Sequence, residues 1–133
     1  MIITWSDILS IGHDTIDREH KYILDTVTRL YLIEVDNKSK DESVMLFGEM
    51  IDLIVSHFHN EEAVMRINRY PNTDHHIELH SELFSRLTDI LYLLETGSDR
   101  VAHELVQCID DWAHLHILVQ DRMIVDYLEA NHL

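Results

Sequence analysis

The stretch Phe47-Gly48-Glu49-Met50-Ile51-Asp52-Leu53-Ile54-Val55-Ser56-His57-Phe58-His59-Asn60-Glu61 decides how the chain folds. Phe47, Met50, Ile51, Ile54 and Phe58 recur at the steps of one helical face. His57 and Glu61 continue that inward face, one helical turn apart. Burying an imidazole and a carboxylate there costs free energy unless something pairs with them. The spacing predicts a helix from about Glu42 to Arg69, ended by Tyr70-Pro71-Asn72, because the residue before a proline avoids helical backbone angles.

Three further amphipathic stripes lie outward from this one. A helix beginning near Ile16 carries Ile16, Ile23, Leu24, Val27, Leu30 and Tyr31, with His20 inside the stripe. A third helix, capped by Thr73 or Asp74 and running to about Glu95, carries Leu83, Phe84, Leu87, Ile90, Leu91 and Leu94. His76 and His80, again four apart, extend it toward its N-terminus. Gly97 suits a left-handed helix stop. Ser98 or Asp99 is predicted to start the fourth helix, whose stripe is Val101, Leu105, Cys108, Ile109 and Trp112, with His116 one turn later. Met123 to Leu128 either continues that helix or packs as a short tail. The connections are short, among them the polar run 36–41. The expected architecture is all-α: an antiparallel up-down-up-down four-helix bundle, with residues 1–15 as an N-terminal arm carrying Trp5.

Composition narrows the function. The 133 residues suit one domain, and 46% are hydrophobic, enough for a core. A formal net charge of −15 repels phosphates, so neither nucleic acid nor an anionic lipid surface is an expected partner. Apolar runs such as Ile90-Leu91-Tyr92-Leu93-Leu94 are too short to span a bilayer, so no membrane insertion is expected in this segment. The opening Met-Ile-Ile-Thr-Trp-Ser-Asp does not read as a signal peptide, and the single cysteine, Cys108, fits a reducing cytoplasm.

In an antiparallel bundle, His20 early in the first helix, His57 late in the second, His76 and His80 early in the third and His116 late in the fourth share one end of the core. With Glu61 and Asp121 they supply five imidazoles and two carboxylates, a donor set for a pair of first-row transition metal ions. Asp121 fits least easily. Five residues along an ideal helix turn the side chain about 140° away, so His116 and Asp121 meet only if the helix widens or ends between them. His13, His59, His75, His103, His114 and His132 are read as surface residues, and Cys108 as a buried small hydrophobe.

The motifs Ile16-Asp17-Arg18-Glu19-His20, His57-Phe58-His59-Asn60-Glu61-Glu62 with Met65, Tyr70-Pro71 with His76-xxx-His80, and Trp112-xxx-His116-Ile117-xxx-Asp121 resemble those of the bacterial hemerythrin-like domains. The resemblance runs from Trp5 to about Tyr127 and treats residues 1–133 as a single domain. It implies two non-haem iron ions. His76, His80 and His116 would hold one and His20 and His57 the other, with Glu61, Asp121 and an oxo or hydroxo group bridging them. The implied ligand is dioxygen, or a small anion in its place, bound in a pocket lined by Trp112, Ala113 and Ile117. The family usually carries leucine where this chain has Ala113, so an opening to water and small anions is expected there. That departure favours an oxygen or redox sensor, alone or with a fused or partner signalling output domain, over a free-standing oxygen carrier or storage protein. No catalytic residue is assigned, because di-iron oxygenases usually use a shell richer in carboxylates.

Overall fold

A computed structural model describes residues 4–36 and 39–132. Met1–Ile3, at the start of the expected arm, and Asn37–Lys38, inside the expected polar connection, lie outside the described residues. The main elements are α1 (Asp14–Asp36), α2 (Lys40–Ile67), α3 (Thr73–Glu95), α4 (Val101–Asp111), a π-helical segment (Trp112–Asp121) and α5 (Arg122–Ala130), with no strand among the described residues. The last three are continuous, so Met123 to Leu128 extends the fourth helix and is not a separate tail. Each helix packs on its neighbours in chain order and α1 closes the ring against α4, which is the expected four-helix bundle.

The predicted stripes form the core, except that Phe84, read into the third stripe, is exposed at 41%. Ile23, Leu24, Leu30, Phe47, Met50, Ile54, Leu87, Leu105 and Ile109 are fully buried. Each such side chain contributes roughly 1.5–3 kcal/mol by leaving water.

Several helix ends differ from the sequence expectations, each for a local reason. α2 begins at Lys40, two residues early, because the Ser39 hydroxyl accepts the Glu42 backbone N–H at 3.2 Å. It ends at Ile67, not Arg69, because Arg69 turns left-handed (φ 53°). The Arg69 and Tyr70 N–H groups then donate to the Arg66 and Met65 carbonyls, a Schellman closure. Neither Thr73 nor Asp74 caps α3: Thr73 is its first residue, and the Thr73 hydroxyl donates to the Tyr70 carbonyl instead. Gly97 does stop α3 in the left-handed region (φ 78°), with the Ser98 and Gly97 N–H groups donating to the Leu93 and Leu94 carbonyls. Ser98 and Asp99 precede the fourth helix without starting it; the Ser98 hydroxyl accepts from Arg100 N–H and α4 opens at Val101.

The described part of the arm is held by Asp17. Its two carboxylate oxygens accept from the Ser10 hydroxyl (2.7 Å) and the Ile11 N–H (3.0 Å), while Leu9 and Ile11 are buried and Trp5 packs on the core. Arg122, the first residue of α5, donates to the Ser10 carbonyl at 2.9 Å. His13 is not a plain surface residue: it is half-buried and its Nδ1 accepts the Ile16 N–H at 3.3 Å, the service an N-cap side chain performs. No described helix is long and apolar enough to cross a membrane.

Candidate metal centre

Toward one end of the bundle the hydrocarbon core is interrupted by polar side chains, with a smaller apolar cluster of Met65, Tyr70, Ile124 and Leu128 further along the same helices. His20 from α1, His57 and Glu61 from α2, His76 and His80 from α3, and His116 and Asp121 from the π segment are all buried at this interruption. They form two groups whose donor atoms lie within 4.8 Å of one another. One is His76, His80, His116, Glu61 and Asp121; the other is His20, His57, Glu61 and Asp121. The two groups share the carboxylates, and every imidazole turns Nε2 inward. His20 Nε2 lies 3.1 Å from His57 Nε2 and His80 Nε2 lies 3.2 Å from His116 Nε2.

The π segment resolves the spacing of His116 and Asp121. Its i→i+5 bonding widens each turn, so residues five apart come onto one side. His116 Nε2 lies 3.1 Å from Asp121 Oδ1. Of the two alternatives the spacing leaves, the structure takes the widened helix, since the rod continues unbroken into α5.

The contacts suit a cation better than a hydrogen-bonded core. Glu61 Oε2 is 2.9 Å from His57 Nε2, and Asp121 Oδ2 is 3.0 Å from His20 Nε2. These oxygens, like Asp121 Oδ1, still lack an aligned hydrogen bond. Nitrogen and oxygen lone pairs that converge without aligned protons fit a shared positive ion, and buried carboxylates without one are costly. The electrostatics agree. Burial opposes charge on His57, but the Glu61 carboxylate and the hydrogen bond that His57 donates to Glu19 carry it up to about 10. His116 also rises against burial to about 10, through Asp121 and Glu61. Burial and Glu61 both push Asp121 up, yet His116 holds it down at about 2. Burial likewise opposes ionised Glu61, and attraction to His57 holds it well below the usual carboxylate range. Without a metal, protons on His57 and His116 offset the two buried carboxylates; a metal ion would take the place of those protons.

Outer partners fix the rings. His57 Nδ1 meets Glu19 Oε1 at 2.9 Å, and Asn60 donates to the other Glu19 oxygen. His80 Nδ1 meets Glu62 Oε2 at 2.9 Å, and Phe58 stacks on His80 with centroids 3.8 Å apart. Such partners set which imidazole nitrogen faces inward. Glu19 and Glu62 were not singled out in the sequence, although each adjoins a candidate ligand, at His20 and Glu61. That adjacency was the available signal.

Trp112, Ala113 and Ile117 are buried, and Trp112 meets the His20 ring edge-to-face at 5.4 Å. Ala113 is 0% exposed, so the opening expected over it does not reach solvent. His114 points away, its Nδ1 donating to the Asp110 carbonyl at 2.8 Å. His59, His75, His103, His114 and His132 are exposed, as expected.

A model of the Hemerythrin HHE cation binding domain matches residues 11–128. The chain is 26% identical to a bacteriohemerythrin of Stenotrophomonas maltophilia over 98% of this chain and 84% of that protein. It is also 26% identical to one of Campylobacter jejuni over 92% of both chains. A bacteriohemerythrin of Pseudomonas aeruginosa is 27% identical over 93% of this chain and 80% of its own length. With the family pattern spanning most of the chain and its buried histidines and carboxylates gathered at one end of a four-helix bundle, the chain belongs to the hemerythrin family.

Proposed function

We propose that this protein holds two non-haem iron ions and binds dioxygen reversibly, acting as an oxygen or redox sensor. The carrying observation is the pair of donor groups that overlap at Glu61 and Asp121. His76, His80 and His116 would hold one iron, His20 and His57 the other, with Glu61 and Asp121 bridging beside an oxo or hydroxo group. When bound, the iron pair supplies the reversible electron exchange that captures dioxygen.

The chain's own residues do the rest. The two-histidine group has one imidazole fewer than the other, which leaves room for an external ligand. Trp112, packed edge-to-face on His20, would exclude water from that side, together with the buried Ala113 and Ile117. Glu19 and Glu62 hold the His57 and His80 rings in place. The histidine-rich donor set supports a binding protein and not an enzyme. The single cysteine supports a cytoplasmic setting.

Asp121 supports the sensing role. Arg122 follows it directly and grips the arm at Ser10, and Tyr127 of α5 donates to the Asn68 carbonyl at 3.2 Å. A change of ligation at Asp121 is thus joined through α5 to two surface segments, where an output domain or partner could read it. The alternative, a carrier or storage protein, is favoured by the closure of Ala113 from solvent, because a sealed pocket protects captured oxygen.

Anaerobic iron loading tests the reading: about two irons per chain are expected, with oxygen-bridged charge-transfer absorption in the near ultraviolet. One zinc and no iron would overturn it. The lifetime of the oxygenated form separates the roles, short for a sensor and long for a carrier.

A further inference from the structure

The sealed Ala113 side raises the question of how a ligand reaches the cluster. Of its seven residues, His116 is the most exposed at 7%, against 0–3% for the rest. His116 lies in a surface groove of about 410 Å³ between α3 and the π segment. Leu79 and Leu83 line it from α3, and Leu115 and Val119 from the π segment, with Trp112 and His116 alongside. Trp112 belongs both to this groove and to the surroundings of His20, whose ring it meets at 5.4 Å.

We propose that this groove is the route by which small neutral molecules of the dioxygen class reach the buried cluster, with Trp112 as the partition between groove and site. The proposal deepens the function above and rests on it for the identity of the molecule that travels. The lining selects for such molecules. Its walls are mainly hydrocarbon, which favours apolar solutes over ions. Arg86 in the groove is engaged by Asp111 at 2.8 Å, and Glu82 adds negative charge. With a chain charge of −15 behind it, the passage disfavours anions.

Tryptophan fluorescence gives a readout that needs no iron. The chain has two tryptophans, so Trp5→Phe leaves Trp112 as sole reporter. In that metal-free background, dissolved dioxygen should quench Trp112 efficiently and iodide only weakly. Adding Leu79→Phe and Val119→Phe, which narrow the groove from both walls, should slow dioxygen quenching at least threefold. Leu83→Ala should speed it. Val55→Phe, in the second groove, between α2 and α3, which approaches the cluster at His80 instead, should leave it unchanged. If the narrowed protein does not fold, by its helical dichroism, the Leu83→Ala and Val55→Phe arms decide alone.

Quenching indifferent to the groove variants, altered as strongly by Val55→Phe, or as fast with iodide as with dioxygen, would overturn the route. In iron-loaded protein the narrowed variant should lower oxygen on- and off-rates by the same factor and leave affinity unchanged, the mark of a passage and not of a binding contact. Quenching that responds in a protein that takes up no iron would keep the route and remove the di-iron reading. Normal iron content with unresponsive quenching would do the reverse.

Discussion

At one end of the bundle Leu30, Phe47, Leu94 and Leu105 fill the core with hydrocarbon. Further along the same helices, His20, His57, Glu61, His76, His80, His116 and Asp121 fill it with imidazoles and carboxylates. The helices, their spacing and their burial are alike; what satisfies the side chains is not. The apolar end is complete once water is excluded, since it asks only for volume and shape. The polar end is costlier the better it excludes water, unless a cation joins it. One end therefore makes the fold and the other uses it, and the two should answer differently to metal.

Phe47→Ala sharpens this contrast most. Phe47 is 0% exposed, and its truncation should cost about 3–5 kcal/mol in urea unfolding. The loss should be the same with iron and after chelation. A loss that depends strongly on iron would mean that the two ends are not separable.

His80→Ala should behave in the opposite way. It removes a donor from the three-histidine group and leaves Glu62 without its ring partner. Iron content should fall well below that of the parent, and the iron-loaded stability gap should be about 2 kcal/mol or more. After chelation the gap should shrink, because the parent then lacks the metal too. Unchanged iron content in the variant would remove His80 from the ligand set. His57→Ala tests the two-histidine group in the same way.

The two ends also differ in how far sequence alone reaches them. At the apolar end the 3.6-residue period identified Phe47, Leu30, Leu87 and Leu105, because burial of hydrocarbon writes itself into spacing. At the polar end the four-residue steps His57/Glu61 and His76/His80 were as legible, since helical geometry alone brings such pairs together. Asp121 was not legible from an ideal helix: the π segment that carries it has no periodic signature, and only the family resemblance supplied the partner. The clasps of Glu19 on His57 and Glu62 on His80 join residues 38 and 18 apart, so they depend on how helices face each other. The Ser39 cap, the His13 cap and the left-handed Arg69 were missed because they are decided by single hydrogen bonds at helix ends.

The helix stops permit a finer comparison. α2 and α3 both end in Schellman closures, one at the polar end through Arg69 (φ 53°) and one at the apolar end through Gly97 (φ 78°). A side chain in this region costs about 1–2 kcal/mol, which glycine avoids, although glycine also loses more freedom on folding. Arg69→Gly should therefore stabilise the protein by roughly 0.5–1 kcal/mol, and Gly97→Ala should destabilise it by a similar amount. Thermal unfolding of the two variants, iron-loaded and chelated, checks both signs. Destabilisation by Arg69→Gly would mean that the arginine side chain contributes more than its backbone costs.

The smallest expected effect is the control on which the ligand assignment depends. His103 lies on α4, exposed, and makes no hydrogen bond in the structure that its loss would leave unpaired among buried groups. Its imidazole is chemically the same as that of His116, a few turns along the same rod, so only position distinguishes them. If position decides, His103→Ala should change stability by less than about 0.5 kcal/mol, as surface substitutions usually do, and should leave iron content and the near-ultraviolet absorption untouched. His116→Ala should disturb both. Iron titrations of the two variants side by side would separate a site set by burial from one that any of the chain's 11 histidines could serve. Loss of iron in His103→Ala would mean that surface imidazoles contribute to metal uptake, and the division between the two ends would then not extend to metal.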